Sequence, residues 1–336
     1  MTQHYGASNL IKASSIASSL CTFFILLLCS SIAACAQGGQ STDNDDVVRV
    51  RTDLVTVPAY VTDAHGLRVA GLAQTDFAVR DNGQSVALSY FAEGTDHVAL
   101  LFALDASGSI REVINEQRDA ALSLFSRFGH DSRVAVLHFG EEAELTAPFT
   151  TDAEKAEAAF NAHSSSSQRT AIFDAVDTGL RAFAASKNSP TERRILILIS
   201  DGLDNVSATR PSTVINDARF AGVSIYVIHL PLYEPRDGRL EIRPAAKGFR
   251  ELAEKTGGRY FIVGDAKSAL DPQATPNLEP VFKAIEEDLQ GQYVLGYYPS
   301  EETRSAAVHR IEVTLTRRSE RKLRVQALRE EYNLKQ

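Results

Sequence analysis

Five short, almost uninterrupted apolar runs constrain this chain more than any other feature: VALLFAL (98–104), RVAVLHF (133–139), RILILIS (194–200), VSIYVIHL (223–230) and RYFIV (259–263). A strand with one wet face alternates apolar and polar residues. A run apolar at both parities has to be covered on both faces. Stretches of helical spacing lie between the runs: Glu112 to Phe128, Asp152 to His163, Ala171 to Ser186, Pro211 to Phe220, Lys247 to Thr256 and Leu278 to Gln290. Pro211 suits a first helical turn, and Gly257-Gly258 suits a helix end. Alternation of this kind predicts an α/β fold with a doubly wound, mostly parallel sheet.

The flanks have a different period. VVRVRTDLVTVPAYVTD (47–63) alternates and is rich in Val and Thr, and AHG (64–66) and DNG (81–83) are turn signals. QYVLGYYP, HRIEVTLTR and LRVQALR follow Gly291 as further strands. Three or four strands alone make a marginal sheet. The economical arrangement is a small antiparallel β-sandwich built from both flanks, with the α/β unit inserted in it. The expected organisation is therefore a leader at 1–36, a linker at 37–46, an N-terminal β segment at 47–95, an α/β domain at 96–291 and a C-terminal β segment at 292–336.

Residues 1–36 read as a secretory signal peptide: His4 and Lys12 precede the apolar run LCTFFILLLCSSIAA, and small residues follow at Ala33, Ala34 and Ala36. The run is shorter than the roughly 20 residues of a spanning helix. Two cleavage routes fit. IAAC (32–35) resembles a lipobox that would leave Cys35 acylated, and ACAQ (34–37) suits ordinary signal peptidase. Either route predicts an exported protein of the periplasm, envelope or medium. Membrane contact is expected only through a lipid on Cys35 or an uncleaved leader. Cys21, Cys29 and Cys35 are the only cysteines, so a mature chain lacks thiol ligands, thiol nucleophiles and internal disulfides. A net charge of -8 argues against nucleic acid as a partner.

Ligands of an open α/β sheet bind at the carboxyl ends of its strands. Three polar clusters fall there: Asp105, Ser107 and Ser109 after the first run, Thr170 before AIFDAV, and Asp201 directly after ILILIS. Singly, each has an ordinary explanation as a helix cap or a turn. Together they offer oxygen donors with only two carboxylates, a set suited to Mg²⁺, or to Mn²⁺ or Ca²⁺, rather than zinc or copper. A cation held mainly by neutral oxygens keeps surplus charge with which to attract an external carboxylate. No Walker loop, Gly-x-Gly-x-x-Gly or Gly-x-Ser-x-Gly elbow is present. His138 and His229 lie inside apolar runs and read as core residues.

The order Asp-x-Ser-x-Ser, then Thr170, then ILILISDG resembles the von Willebrand factor type A domain with its metal-ion-dependent adhesion site, over roughly residues 96–291. The resemblance implies that Ser107, Ser109 and Thr170 approach the metal, that Asp105 and Asp201 act largely through water, and that an Asp or Glu of a partner protein completes the shell. The flanks, GLAQTDFAVRDNG and HRIEVTLT, are similar to a bacterial secreted subgroup related to this domain. One departure is Gln168-Arg169 where the family often has glycines before the threonine. Arg169 either repels the cation or helps hold an anionic ligand, and Asp204 and Asn205 are candidates for the ligand rim. The resemblance also implies that the last helix couples metal occupancy to the sandwich. The expected function is a non-enzymatic, metal-dependent protein-binding module. Two other readings compete with it: a metal-dependent phosphatase or hydrolase with Asp105 as nucleophile, and a structural envelope protein with a vestigial site.

Overall fold

The computed structural model describes residues 54–94, 97–106, 118–128, 131–160, 169–186, 191–271, 274, 276–300, 306, 308–316 and 322–333. The leader with Cys35, the linker, and Ser107 and Ser109 lie outside the described residues.

The N-terminal flank forms β1 (Val55–Thr62), β2 (Phe77–Asp81), β3 (Gln84–Val86) and β4 (Tyr90–Glu93). Asn82 and Gly83, at φ 49° and 82°, make the two-residue turn between β2 and β3 that the Asn-Gly signal predicts. The central region supplies β5 (Val98–Asp105), β6 (Arg133–Phe139), β7 (Ala143–Thr150), β8 (Arg193–Ser200), β9 (Val223–His229), β10 (Tyr233–Arg236), β11 (Arg239–Ile242) and β12 (Tyr260–Ile262). The C-terminal flank adds β13 (Gln292–Tyr297), β14 (His309–Leu315), β15 (Arg324–Ala327) and β16 (Glu331–Tyr332). Helices are α1 (118–126), α2 (Ala153–Phe160), α3 (Ile172–Ala185), α4 (Pro211–Ala221), α5 (Phe249–Glu254) and α6 (Glu279–Gln290). Among the described residues no helix is long and apolar enough to cross a membrane.

The central sheet has the order β12-β9-β8-β5-β6-β7, parallel except for β7, so the predicted doubly wound architecture is present. All eight residues of β5 are buried. Leu100, Phe102 and Leu104 pack on one face with Phe160 of α2 and Phe282 and Ile285 of α6. Leu101 and Ala103 pack on the other with Val176 and Phe183 of α3 and Phe249 of α5. The two parities of the apolar run thus serve two separate cores. Gly179 lets α3 lie close on the sheet, because a Cβ there would come within 2.9 Å of Leu196 Cδ1. Each apolar side chain fully covered this way contributes about 1.5–3 kcal/mol.

The flanks pair as a sandwich. One sheet runs β15-β1-β13-β4 and the other β16-β14-β2-β3. Val57, Ala59 and Tyr293 of the first share a core with Val79, Ile311 and Tyr332 of the second. Polar contacts join the sandwich to the central domain. Arg68, in the turn after β1, grips Asp288 of α6 through Nε at 2.7 Å and Nη2 at 3.2 Å. Tyr226 of β9 donates to the same carboxylate at 2.7 Å, and Gln292 of β13 donates at 3.1 Å. Gln292 in turn accepts from Arg193, the first residue of β8. Burial draws the Arg193 guanidinium down to about 10.

Two elements depart from the sequence-level reading. β7 is an antiparallel edge strand with alternating exposure, and Pro148 sits where its register with β6 shifts. An edge position tolerates a missing N–H. The second is the β10–β11 hairpin, which fills the connection between β9 and α5.

Candidate functional site

The chain passes from β5 to β6 on one side and later starts β8 on the other, so the strand order reverses between β5 and β8. This switch point is where loops part and leave a crevice at the carboxyl ends. Asp105 is the last residue of β5 and Asp201 follows the last residue of β8.

Asp105 is fully buried, and its Oδ2 accepts a hydrogen bond from Ser200 Oγ at 2.7 Å. The same hydroxyl accepts from the Gly202 N–H at 3.1 Å. Asp201 Oδ1 accepts from the Leu203 N–H at 2.9 Å. Gly202 has φ +80°, and a Cβ there would lie 2.8 Å from Ala245 Cβ, so this turn requires glycine. His229 Nε2 donates to the Asp201 carbonyl at 2.9 Å. Its Nδ1 therefore lacks a proton and accepts from Tyr260 Oη at 2.5 Å. Burial lowers the His229 pKa. With both nitrogens bonded, this ring is the satisfied core histidine the sequence suggests, and it also fixes the backbone of Asp201.

Thr170 lies between β6 and α3 and is 5% exposed. Its N–H donates to Asn205 Oδ1, and its carbonyl accepts from the Asn205 N–H, both at 3.0 Å. The next residue, Ala171, donates to the Gly140 carbonyl beyond β6 at 2.8 Å. Asp204 Oδ2 accepts from the N–H groups of Ile172 and Phe173, at 2.8 and 3.3 Å, and from the Ser207 hydroxyl. Asp204 and Asn205, expected at a ligand rim, thus use their side-chain oxygens to cap α3 and clamp Thr170 to the Asp201 loop. Arg169 pairs with Glu141 at 2.6 Å, with both side chains substantially exposed.

Of the five expected metal positions, Asp105, Thr170 and Asp201 converge on one sheet edge, while Ser107 and Ser109 lie outside the described residues. Burial pushes the Asp201 carboxyl up to about 6; the Leu203 N–H and Arg243 pull it down, and the Asp105 charge pushes with burial. Among the described residues the Thr170 hydroxyl has no hydrogen-bond partner. Two buried carboxylates repelling one another beside an unused hydroxyl form a donor set that a hard divalent cation would satisfy. Among the described residues there is no cluster of three or more His, Cys, Asp or Glu side chains.

Sequence reasoning missed Ser200, which holds Asp105, and Arg243, which faces Asp201 electrostatically. Ser200 closes an apolar run and reads as a strand end. Arg243 belongs to the return side of the overlooked hairpin.

Similar solved structures include BatB from Bacteroides thetaiotaomicron, 19% identical over 57% of this chain and 97% of that one, with a TM-score of 0.42. Proximal thread matrix protein 1 from the mussel byssus, in a form with a zinc-occupied adhesion-site motif, is 16% identical over 59% of this chain and 49% of that one, at a TM-score of 0.44. The SpRpn10 VWA domain is 12% identical over 57% and 93%, at a TM-score of 0.38. No curated protein matches the chain. The family model of the von Willebrand factor type A domain matches residues 99–275, which span β5 through the segment before α6, and the chain belongs to that family.

Proposed function

We propose that this protein is an exported, metal-dependent protein-binding module of adhesion type. A divalent cation, Mg²⁺ in the first instance, would be held by Ser107, Ser109 and Thr170, with Asp105 and Asp201 acting largely through water. The observation that carries the reading is the pair of buried carboxylates, Asp105 and Asp201, which repel one another at the switch point with Thr170 held on the adjoining loop. The cation would supply Lewis acidity toward a carboxylate from outside, an Asp or Glu of a partner protein. The chain's own part is to hold the donors still. Ser200 orients Asp105, His229 fixes the Asp201 backbone, and Asn205 and Asp204 lock Thr170.

Export rests on the leader-like residues 1–36, and acylation at Cys35 would add a membrane anchor. Mass measurement of the processed N-terminus distinguishes a lipidated Cys35 from a free Gln37.

Calorimetric titration of Mg²⁺ and Mn²⁺ into residues 37–336, with Asp105→Ala as control, tests the site. Saturable binding by the parent chain and none by the variant is the expected outcome. Equal heats from both chains would refute it. Phosphate release that disappears in Asp105→Asn would instead support the hydrolase.

A further inference from the structure

The connection between β9 and α5 brings to the candidate site a set of charges that the adhesion motif does not contain. Its return side is pinned to the Asp201 turn by the Ala246 N–H, which donates to the Gly202 carbonyl at 2.8 Å, while the Arg243 N–H closes the base of the hairpin on the Leu232 carbonyl at 2.8 Å. Arg243 and Lys247, both exposed, bracket that contact. A Cβ on Gly248 would collide with the Pro211 ring, so the end of the segment abuts the start of α4, where Arg210 is exposed.

Their place beside the Asp201 turn sets Arg210, Arg243 and Lys247 apart from other exposed cations of the chain, such as Arg80, Lys283 and Arg324. Arg169, Arg219, Arg250 and Arg310 are each paired with a glutamate. Among the described residues Arg210, Arg243 and Lys247 have no ion-pair partner. A bound divalent cation would balance Asp105 and Asp201, which leaves this edge positive in a chain of net charge -8. Unpaired charge beside a binding edge steers a complementary ligand and raises its association rate.

We infer that Arg210, Arg243 and Lys247 form a docking arc for an acidic segment of the partner protein. One of its carboxylates reaches the metal and the flanking acidic groups meet the arc. The metal contact rests on the adhesion-type reading above, and the arc does not. A polypeptide fits better than an extended polyanion, because the chain as a whole carries a net charge of -8 and would repel one beyond the arc.

The test is stopped-flow anisotropy of a fluorescein-labelled oligo-glutamate peptide with the full chain and Mg²⁺, over a series of salt concentrations. The triple variant Arg210→Ala/Arg243→Ala/Lys247→Ala is expected to associate about tenfold more slowly, with a flatter salt dependence. A control triple of exposed cations elsewhere, Arg80→Ala/Lys283→Ala/Arg324→Ala, should associate like the parent. Asp105→Ala should lose the Mg²⁺ dependence and keep the salt-dependent association. If Mg²⁺ has no effect on any chain while the arc variant still slows, the metal reading fails and the arc stands. Parent-like association of the arc variant, an equal loss in the control triple, or no peptide binding by the parent chain would each overturn the arc. Tighter arc-dependent binding of a single-stranded oligonucleotide or of phosphatidylserine vesicles would overturn the choice of an acidic polypeptide.

Discussion

The two ends of strand β8 hold buried carboxylates in opposite circumstances. At its amino end, Asp288 of α6 receives both nitrogens of the Arg68 fork, the Tyr226 hydroxyl and the Gln292 amide, with Arg193 behind Gln292. At its carboxyl end, Asp201 has a backbone N–H, the more distant charge of Arg243 and a second carboxylate for company. A buried charge surrounded by donors is finished as structure; one left short of them is a group whose partner arrives from outside. The contrast makes α6 a tie between the sandwich and the sheet, and is what supports the opposite edge as the candidate site.

The largest effect should come from breaking the completed end. Asp288→Ala leaves Arg193 buried, with half-buried Arg68 close by and no carboxylate between them, and should cost about 3–5 kcal/mol in urea unfolding. A loss below about 1 kcal/mol would mean that the junction is not closed in solution. At the other end the sign inverts. The Asp201 carboxyl is raised in the folded chain from 3.8 to about 6, so the folded form holds a proton that the unfolded form has already released. The Asp201 contribution to metal-free stability should therefore fall as pH rises from about 4 to 6, by about 1–2 kcal/mol after allowing for solvent at the site mouth, and level off above; the lowered His229 pKa works in the opposite direction, so the contribution is read as the difference from Asp201→Asn. Asp201→Asn should flatten that slope, and thermal melts in chelator across this range would show it. Parallel pH profiles for the parent and Asp201→Asn would contradict the electrostatic contrast.

Asp204→Ala removes the acceptor for two N–H groups at the start of α3 and should cost about 1 kcal/mol, up to 2. It should also weaken metal binding by releasing Thr170. Calorimetric affinity separates the two effects, since a purely structural cap would leave it unchanged. The smallest change is expected for Ser200→Ala, about 1 kcal/mol for one hydrogen bond to Asp105. Here destabilisation in the apo chain should shrink when metal is added.

The central strands were legible because burial on both faces leaves no polar positions in the run; β5 shows this at every residue. The placement of Asp105 and Asp201 at one sheet edge was legible because both fall directly at the ends of apolar runs. β7 was hidden by its half-exposed alternation and Pro148. The β10–β11 hairpin did announce itself through Asp237-Gly238, at φ 49° and 78°, but charged neighbours and Pro235 masked the strands on either side. The clamp roles of Asp204 and Asn205 depend on backbone groups more than thirty residues earlier. Nothing in the spacing of side chains reports those. Arg169 was rightly flagged as unusual, but its partner Glu141 is brought to it by the turn after β6, which no local pattern reveals.

The insertion of the α/β unit within the sandwich also imposes an order of events. Val55 of β1 pairs with Tyr297 of β13, and Ala59 pairs with Ala327 of β15. At synthesis rates of about 5–20 residues per second, β1 would wait on the order of ten seconds or more for either neighbour. The central domain has its own local contacts and can close first, which brings the two ends of the sandwich together: the Gly94 N–H meets the Gln292 carbonyl at 2.8 Å across the base of the insertion. From the sequence separation of these pairs, the inserted unit is expected to form first and the outer strands to pair last, onto a template it has already placed.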